Sequence, residues 1–379
     1  MELDKNQEAF FALLRAGLWE QEVRLEPYGE IDFPAILDLA EEQSVVGLLA
    51  AGIEHVVDRK PQKKAVLQFI GRTVQLEQRN QAMNYFIGVM VEKMRAAGIE
   101  AVLVKGQGVA QCYERPLWRS CGDVDLFLSD ENYERAKAFL TPLAASVEEE
   151  YVREKHLGMT IDPWVVELHG RLYGGLSGRI ERELDGVYRE TFGRGVVRSW
   201  DNSGVRVPQL AVENDVFYVF THILQHFYKG GIGLRQVIDY FYLLRKCKAD
   251  GMTGQAKAEF RKTLKDFGMT KFASAIMYIM HHVLGIDKEC LLLEPNEKEG
   301  KFLLNEVLLL GNFGRAETRK EALETAEGHF KRFLIYEKYN FRLLSHYPSE
   351  VIWRPIRDLK ASWKNHKKEA DEQKAEGKE

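Results

Sequence analysis

Gly122-Asp123-Val124-Asp125-Leu126-Phe127-Leu128 is the stretch that decides the fold. Side chains on a strand alternate faces with a period of two, so Asp123 and Asp125 share one face while Val124 and Leu126 point into a core. Upstream, Glu100-Ala101-Val102-Leu103-Val104 reads as a short buried strand closed by Lys105-Gly106-Gln107-Gly108. Val109 to Tyr113 suits a short helix, and Ser129 an N-cap for a helix over Asn132 to Leu143. Downstream, His156 to Ile161 and Trp164 to His169 flank Asp162-Pro163 and predict a hairpin. A second hairpin is expected from Gly195 to Val207 around Asn202-Ser203-Gly204.

Two carboxylates side by side raise each other's pKa unless a cation lies between them. Magnesium suits Asp123 and Asp125, because it takes oxygen ligands and is held by one or two carboxylates plus substrate phosphates. Val165, Glu167 and His169 share one face of the second hairpin strand, so Glu167 is a third ligand candidate, with general base as the other role weighed for it. Two ions are expected at such a site. Lys105 places a compact positive charge, and Gly106 an approachable backbone, where a triphosphate would lie. Arg115 and Arg119 precede the motif, and Arg119 is the preferred guanidinium for phosphate oxygens.

The surroundings are helical. Apolar periodicity predicts helices over Asn6 to Leu18, Phe33 to Ile53 and Ala65 to Ala97, the last ending at Gly98. Further helices are expected over Glu213 to Tyr228, Arg235 to Cys247, Gly254 to Phe267 and Thr270 to Leu284. The fold expected is α+β: a small mixed-sheet core over 99–210, a helical N-terminal region over 1–98 and a C-terminal helical domain over 211–362. Residues 363–379 offer almost nothing apolar to bury and read as a charged, disordered tail.

Composition narrows the function classes. The 379 residues carry a formal net charge of -4, which gives no whole-chain basic footprint for coating a nucleic acid. Four cysteines without CxxC spacing fit a reducing compartment and no zinc knuckle. The N-terminus lacks the apolar core of a signal peptide, and no apolar run is long enough to span a membrane. A cytoplasmic protein is expected.

Val104-Lys105-Gly106, then Arg119-Ser120-Cys121-Gly122-Asp123-Val124-Asp125-Leu126, and later Glu167-Leu168-His169 together resemble the uncharacterised bacterial nucleotidyltransferases of the polymerase-β-like superfamily. The likeness extends over most of residues 1 to about 285. It implies a nucleoside triphosphate substrate, ATP foremost, with magnesium, and it leaves the acceptor open. The superfamily's Gly-Ser after the first strand is Gly106-Gln107 here. The family also has a helix histidine followed by Arg-x-x-x-Asp, matched by Arg235 and Asp239, whose spacing allows a structural ion pair, with contact to nucleotide or acceptor as the equal alternative.

Other features receive plainer readings. His222 and His226, one helical turn apart, have metal-ligand spacing but no HExxH context; they read first as packing on the flank of the Val216, Val219, Phe220, Ile223, Phe227 stripe, with lining the cleft as the alternative. Gly230-Gly231-Ile232-Gly233 follows no strand, so it reads as a hinge or cap, and Tyr240-Phe241-Tyr242 reads as core. The function expected is transfer of a nucleoside monophosphate, AMP from ATP, to an acceptor hydroxyl with release of pyrophosphate. The acceptor would be a small molecule or a protein in preference to RNA. The runners-up are an inactive, toxin–antitoxin-like binding module on the same fold and an ATP-dependent phosphotransferase.

Overall fold

The computed structural model describes residues 3–172, 175–176, 178–251, 254–312, 341–348 and 351–352. The expected tail over 363–379 lies outside them.

Helix α1 (Lys5–Trp19) starts at Asp4, whose carboxylate accepts from the Gln7 N–H in a capping box. It is followed by α2 (Phe33–Glu42), α3 (Val46–Glu54) and the long α4 (Lys63–Ala96). The single helix expected from Phe33 to Ile53 is thus two. Ser44 sits at φ +56° between them. The adjacent Gln43 is fully buried, accepting from the Leu234 N–H (2.9 Å) and donating to the Val307 carbonyl (3.1 Å). Those long-range bonds override an apolar periodicity that continues through the corner.

The α/β segment runs β1 (Ala101–Val104), α5 (Gly106–Ala110), β2 (Asp123–Leu128), α6 (Asp130–Leu140), β3 (Ser146–Val147), β4 (His156–Ile161), β5 (Trp164–His169), α7 (Gly178–Tyr188), β6 (Val197–Asn202) and β7 (Val205–Leu210). Then come α8 (Val212–Lys229), α9 (Leu234–Ala249), α10 (Gly254–Asp266), α11 (Thr270–Tyr278) and α12 (Glu297–Leu310). Ser129 caps α6 as expected, accepting from the Asn132 N–H. Helices α7 and α12 and the two-residue β3 have no counterpart among the expected elements.

The seven strands form one mixed sheet in the order β3-β4-β5-β2-β1-β7-β6. β1 is antiparallel to β2, β2 is parallel to β5, and β4 and β5 form the hairpin around Asp162-Pro163. The architecture is α+β. One sheet face, carrying Leu126, Val166 and Leu168, packs on Met83, Ile87 and Met94 of α4 and on Tyr133 and Leu140 of α6. The opposite face contributes Val102, Val104 and Phe127 to a second core, which the N-terminal helices share with α8, α9, α11 and α12. Trp19 shows the sharing: its Nε1–H donates to the Leu284 carbonyl (2.7 Å) and its ring meets Phe241 edge-on at 5.3 Å.

Helices α1 and α3 cross at reciprocal glycines. A Cβ on Gly52 would lie 2.0 Å from the Leu13 carbonyl oxygen, and one on Gly17 would lie 1.9 Å from that of Leu48. In an uncrowded helix Gly→Ala gains about 1 kcal/mol. At this crossing Gly52→Ala should instead destabilise, by about 1–3 kcal/mol. Urea unfolding reads the sign.

Candidate active site

The register builds the site. Across the parallel β2–β5 pair Asp125 lies opposite Glu167, and across the β4–β5 hairpin His156 lies opposite His169. Period two then puts Asp123, Asp125, Glu167, His169 and His156 on the same face, while their neighbours Val124, Leu126, Val166 and Leu168 bury on the other. One oxygen each from Asp123, Asp125 and Glu167 lies within 4.8 Å of the others.

Asp125, only 1% exposed, is paired on two sides: Lys105 Nζ is 2.6 Å from its Oδ1 and His169 Nε2 is 2.8 Å from the same atom. Lys105 reaches this position from an unusual backbone, φ +54° and ψ -147°. A non-glycine residue there costs on the order of 1–3 kcal/mol and persists only when its surroundings fix it. Gly106 follows at φ +37°, packed so closely that a Cβ would meet Cys121 Sγ at 3.2 Å and the Asp123 carbonyl oxygen at 3.3 Å.

The charges in the site shift one another. Asp125 raises the Asp123 carboxyl above its ordinary pKa, and burial adds to the rise. Burial alone would lower the Lys105 ammonium, but Asp125 together with Tyr218, Glu167 and Asp123 outweighs it and holds the lysine well above its usual value. Burial would likewise raise Glu167, yet hydrogen bonds from His156 and His169, with the charge of Lys105, hold it well below the carboxylate range. His169, disfavoured as a cation by burial, is raised by Asp125 and Glu167.

Arg119 was expected to hold phosphates, and the structure places its fork elsewhere. Nε and Nη2 donate to Asp239 Oδ1 and Oδ2 at 2.7 and 2.8 Å, and the Tyr113 hydroxyl donates to the same Oδ1 at 2.7 Å. With side chains 3% and 8% exposed, this is a buried pair of the kind whose breaking costs about 3–5 kcal/mol. It ties the approach to β2 onto α9. Asp239 therefore meets Arg119, while Arg235 reaches the Ser120 carbonyl and Asn312 Oδ1, both at 3.4 Å.

Gln107, where the superfamily has serine, turns away from the site. It is 1% exposed, and its amide donates to Asn80 Oδ1 (2.8 Å), whose own amide donates to the Leu117 and Arg119 carbonyls. No hydroxyl follows Gly106; instead a side-chain chain from α4 braces the segment entering β2.

A cleft of about 1220 Å³ opens over the carboxylates between the sheet and helices α8 and α9. It exceeds the ~300–1,000 Å³ usual for one small ligand and leaves room for two. Lys105, Gly106, His222, His226, Lys229 and Arg235 are among its walls. His222 and His226 face each other at 4.3 Å between ring centres. Gly233 is the N-cap of α9, and a Cβ on Gly231 would strike Leu310 at 2.7 Å, so the glycine run serves packing and capping. Tyr240, Phe241 and Tyr242 are buried in the core.

A family model described as "uncharacterised nucleotidyltransferase" matches residues 29–285. The chain belongs to this nucleotidyltransferase family. That membership implies a nucleotide substrate and supports a general nucleotidyltransferase role for the chain. No curated protein matches the chain. Among solved structures, an antigenic nucleotidyltransferase-like protein from Paracoccidioides brasiliensis aligns over 51% of this chain and 91% of its own, with 11% identity and a TM-score of 0.30. No helix among the described residues is long and apolar enough to cross a membrane.

Tyr218, Arg79, Lys229 and His156 also line the cleft and are not among the expected site residues. His156 left a legible signal. A two-residue turn at Asp162-Pro163 pairs residues symmetrically outward, which brings 156 opposite 169.

Burial, followed by the charge of Lys105, lowers His226 to about 3 and His222 well below its ordinary value. Both are neutral in the fold, whereas in the unfolded chain they take up protons below about pH 6.5. Stability therefore falls as pH drops from about 6.5 toward about 3, by up to ~1.36 kcal/mol per pH unit for each proton. His226→Asn should flatten this acid limb in denaturation curves taken across that range; an unchanged slope would mean a solvated, titrating His226.

Proposed function

We propose that the chain is a magnesium-dependent nucleotidyltransferase that moves AMP from ATP to an acceptor hydroxyl. The observation that carries this reading is the convergence of Asp123, Asp125 and Glu167 oxygens within 4.8 Å on the wall of a cleft large enough for nucleotide and acceptor together. An all-oxygen donor set beside the Lys105 ammonium fits magnesium, and the raised pKa of Asp123 is a charge conflict that a cation relieves. Asp123, Asp125 and Glu167 would hold the metal, which when bound neutralises phosphate charge and acidifies a hydroxyl.

In the reaction the acceptor oxygen bonds to the α-phosphorus, the bond from that phosphorus to the bridging oxygen breaks, and pyrophosphate leaves with the bridging oxygen. The hydroxyl proton passes to water in the cleft. Lys105 and the Gly106 backbone sit at the end of β1 beside the carboxylates and take phosphate oxygens. Arg119 acts from behind, holding the approach to β2 through Asp239 and its own contact with the Ser120 carbonyl (3.2 Å). His169 orients Asp125. His222, His226 and Arg235 form the opposite wall, where the nucleotide and acceptor meet the helical layer. The four free thiols accord with a cytoplasmic setting, and the net charge favours a small-molecule or protein acceptor over RNA.

A second reading, a binding module that transfers nothing, is favoured by one observation: Asp125 is already paired by both Lys105 and His169. Calorimetric titration with ATP separates the two. The proposal expects binding by wild type that requires magnesium and falls at least tenfold in Asp123→Asn/Asp125→Asn. Binding indifferent to magnesium and to both substitutions would favour the module.

A further inference from the structure

His156, Glu167 and His169 form a second group of side chains able to converge on one ion, with one ligand atom from each within 4.8 Å of the others. Only Glu167 belongs to both groups. The donor set differs in kind from the carboxylate site: two imidazole nitrogens and one carboxylate oxygen, a combination that suits zinc and neighbouring transition metals, whereas magnesium prefers oxygen alone.

The strand register builds this set, with Lys155, just before His156, at φ +47°. His156 and His169 are cross-strand partners in the β4–β5 hairpin, and Glu167 lies two residues from His169 on the same face, opposite Gly158. The Gly170 N–H donates to the Lys155 carbonyl at 2.7 Å, which makes 156 and 169 the adjoining non-hydrogen-bonded pair, the arrangement that brings facing side chains closest. Their rings stand 4.8 Å apart and only 32° from parallel. At Gly158, opposite Glu167, the Glu148 carboxylate takes the place of a side chain, its Oε2 2.5 Å from where a Cβ would sit.

Both Nε2 atoms lie within reach of one Glu167 oxygen, although His169 Nε2 is nearer Asp125 Oδ1. His156 Nε2 lies 3.3 Å and His169 Nε2 3.4 Å from Glu167 Oε2. Charge-assisted hydrogen bonds close to about 2.7–2.9 Å, as His169 does with Asp125 at 2.8 Å. The two longer contacts to Glu167 are the weaker ones and would give way to an ion, and the same His169 Nε2 would have to leave Asp125 to bind it. His156 and Glu167 are each 27% exposed and His169 10%, so the group opens to the cleft and a coordination position stays available for water or a ligand, as in catalytic zinc sites.

We infer that His156, Glu167 and His169 bind a single zinc-like divalent cation, a site chemically distinct from the Asp123, Asp125 and Glu167 magnesium site and placed next to it. It shares Glu167 with that site and does not rest on the reading of the chain as an enzyme.

The test is calorimetric titration of the metal-free, full-length protein with zinc ion alone, without nucleotide. Wild type should bind one ion, and His156→Ala should weaken that binding at least tenfold, with His156→Asn doing the same in a side chain closer to the original shape. Asp123→Asn should leave zinc affinity within about threefold of wild type. Circular dichroism melts confirm that each variant is folded. Zinc affinity unchanged in both His156 variants, or lost in Asp123→Asn while kept in His156→Ala, would overturn the inference. Failure of magnesium-dependent ATP binding alongside His156-dependent zinc binding would remove the proposed function and leave this site standing.

Discussion

Asp123, Asp125 and Glu167 are held by strand register on one sheet face with their oxygens within 4.8 Å, and carboxylates this close repel one another unless positive charge is placed among them. The rest of the site answers that constraint. Lys105 is bent into a backbone conformation rare outside glycine so that its ammonium meets Asp125, and His169 closes on the same oxygen. Asp123 is left with the conflict, which is why its pKa rises while Glu167, served by two histidines, goes the other way. A cation arriving from the cleft would find Asp123 the least satisfied of the three.

Rigidity around these charges comes from buried polar links between layers. Arg119 and Asp239 fasten the approach to β2 onto α9, Asn80 and Gln107 fasten it to α4, and Gln43 locks the α2–α3 corner against α9 and α12. Each of these polar groups is buried, where an unpaired partner would be costly. The helices that form the cleft wall are therefore fixed relative to the sheet that bears the carboxylates. The N-terminal helices share in this, since they and the helices after α8 pack into one core.

Much of this was legible because it depends on short-range rules. Alternation along 122–128 placed the aspartates on one face, the turn chemistry of Asp162-Pro163 fixed the hairpin, and the Ser129 cap marked the start of α6. What the sequence hid depends on contacts distant along the chain. The fork of Arg119 finds Asp239, 120 residues away, and Gln43 reaches residues 191 and 264 positions on. No local pattern announces such partners, so Arg119 read as a phosphate ligand and 33–53 as one helix. His156 lies between the two cases: its place opposite His169 follows from the turn by counting, but its chemistry shows only when Glu167 stands beside both.

The most direct test of the central claim is anomalous diffraction from crystals grown with manganese, as a substitute for magnesium, and a non-hydrolysable ATP analogue. The account predicts an anomalous peak in contact with carboxylate oxygens of Asp123, Asp125 and Glu167, with the α-phosphate beside it and Lys105 Nζ turned toward phosphate. Nucleotide bound away from the carboxylates, or no ion among them and Lys105 still on Asp125, would contradict it.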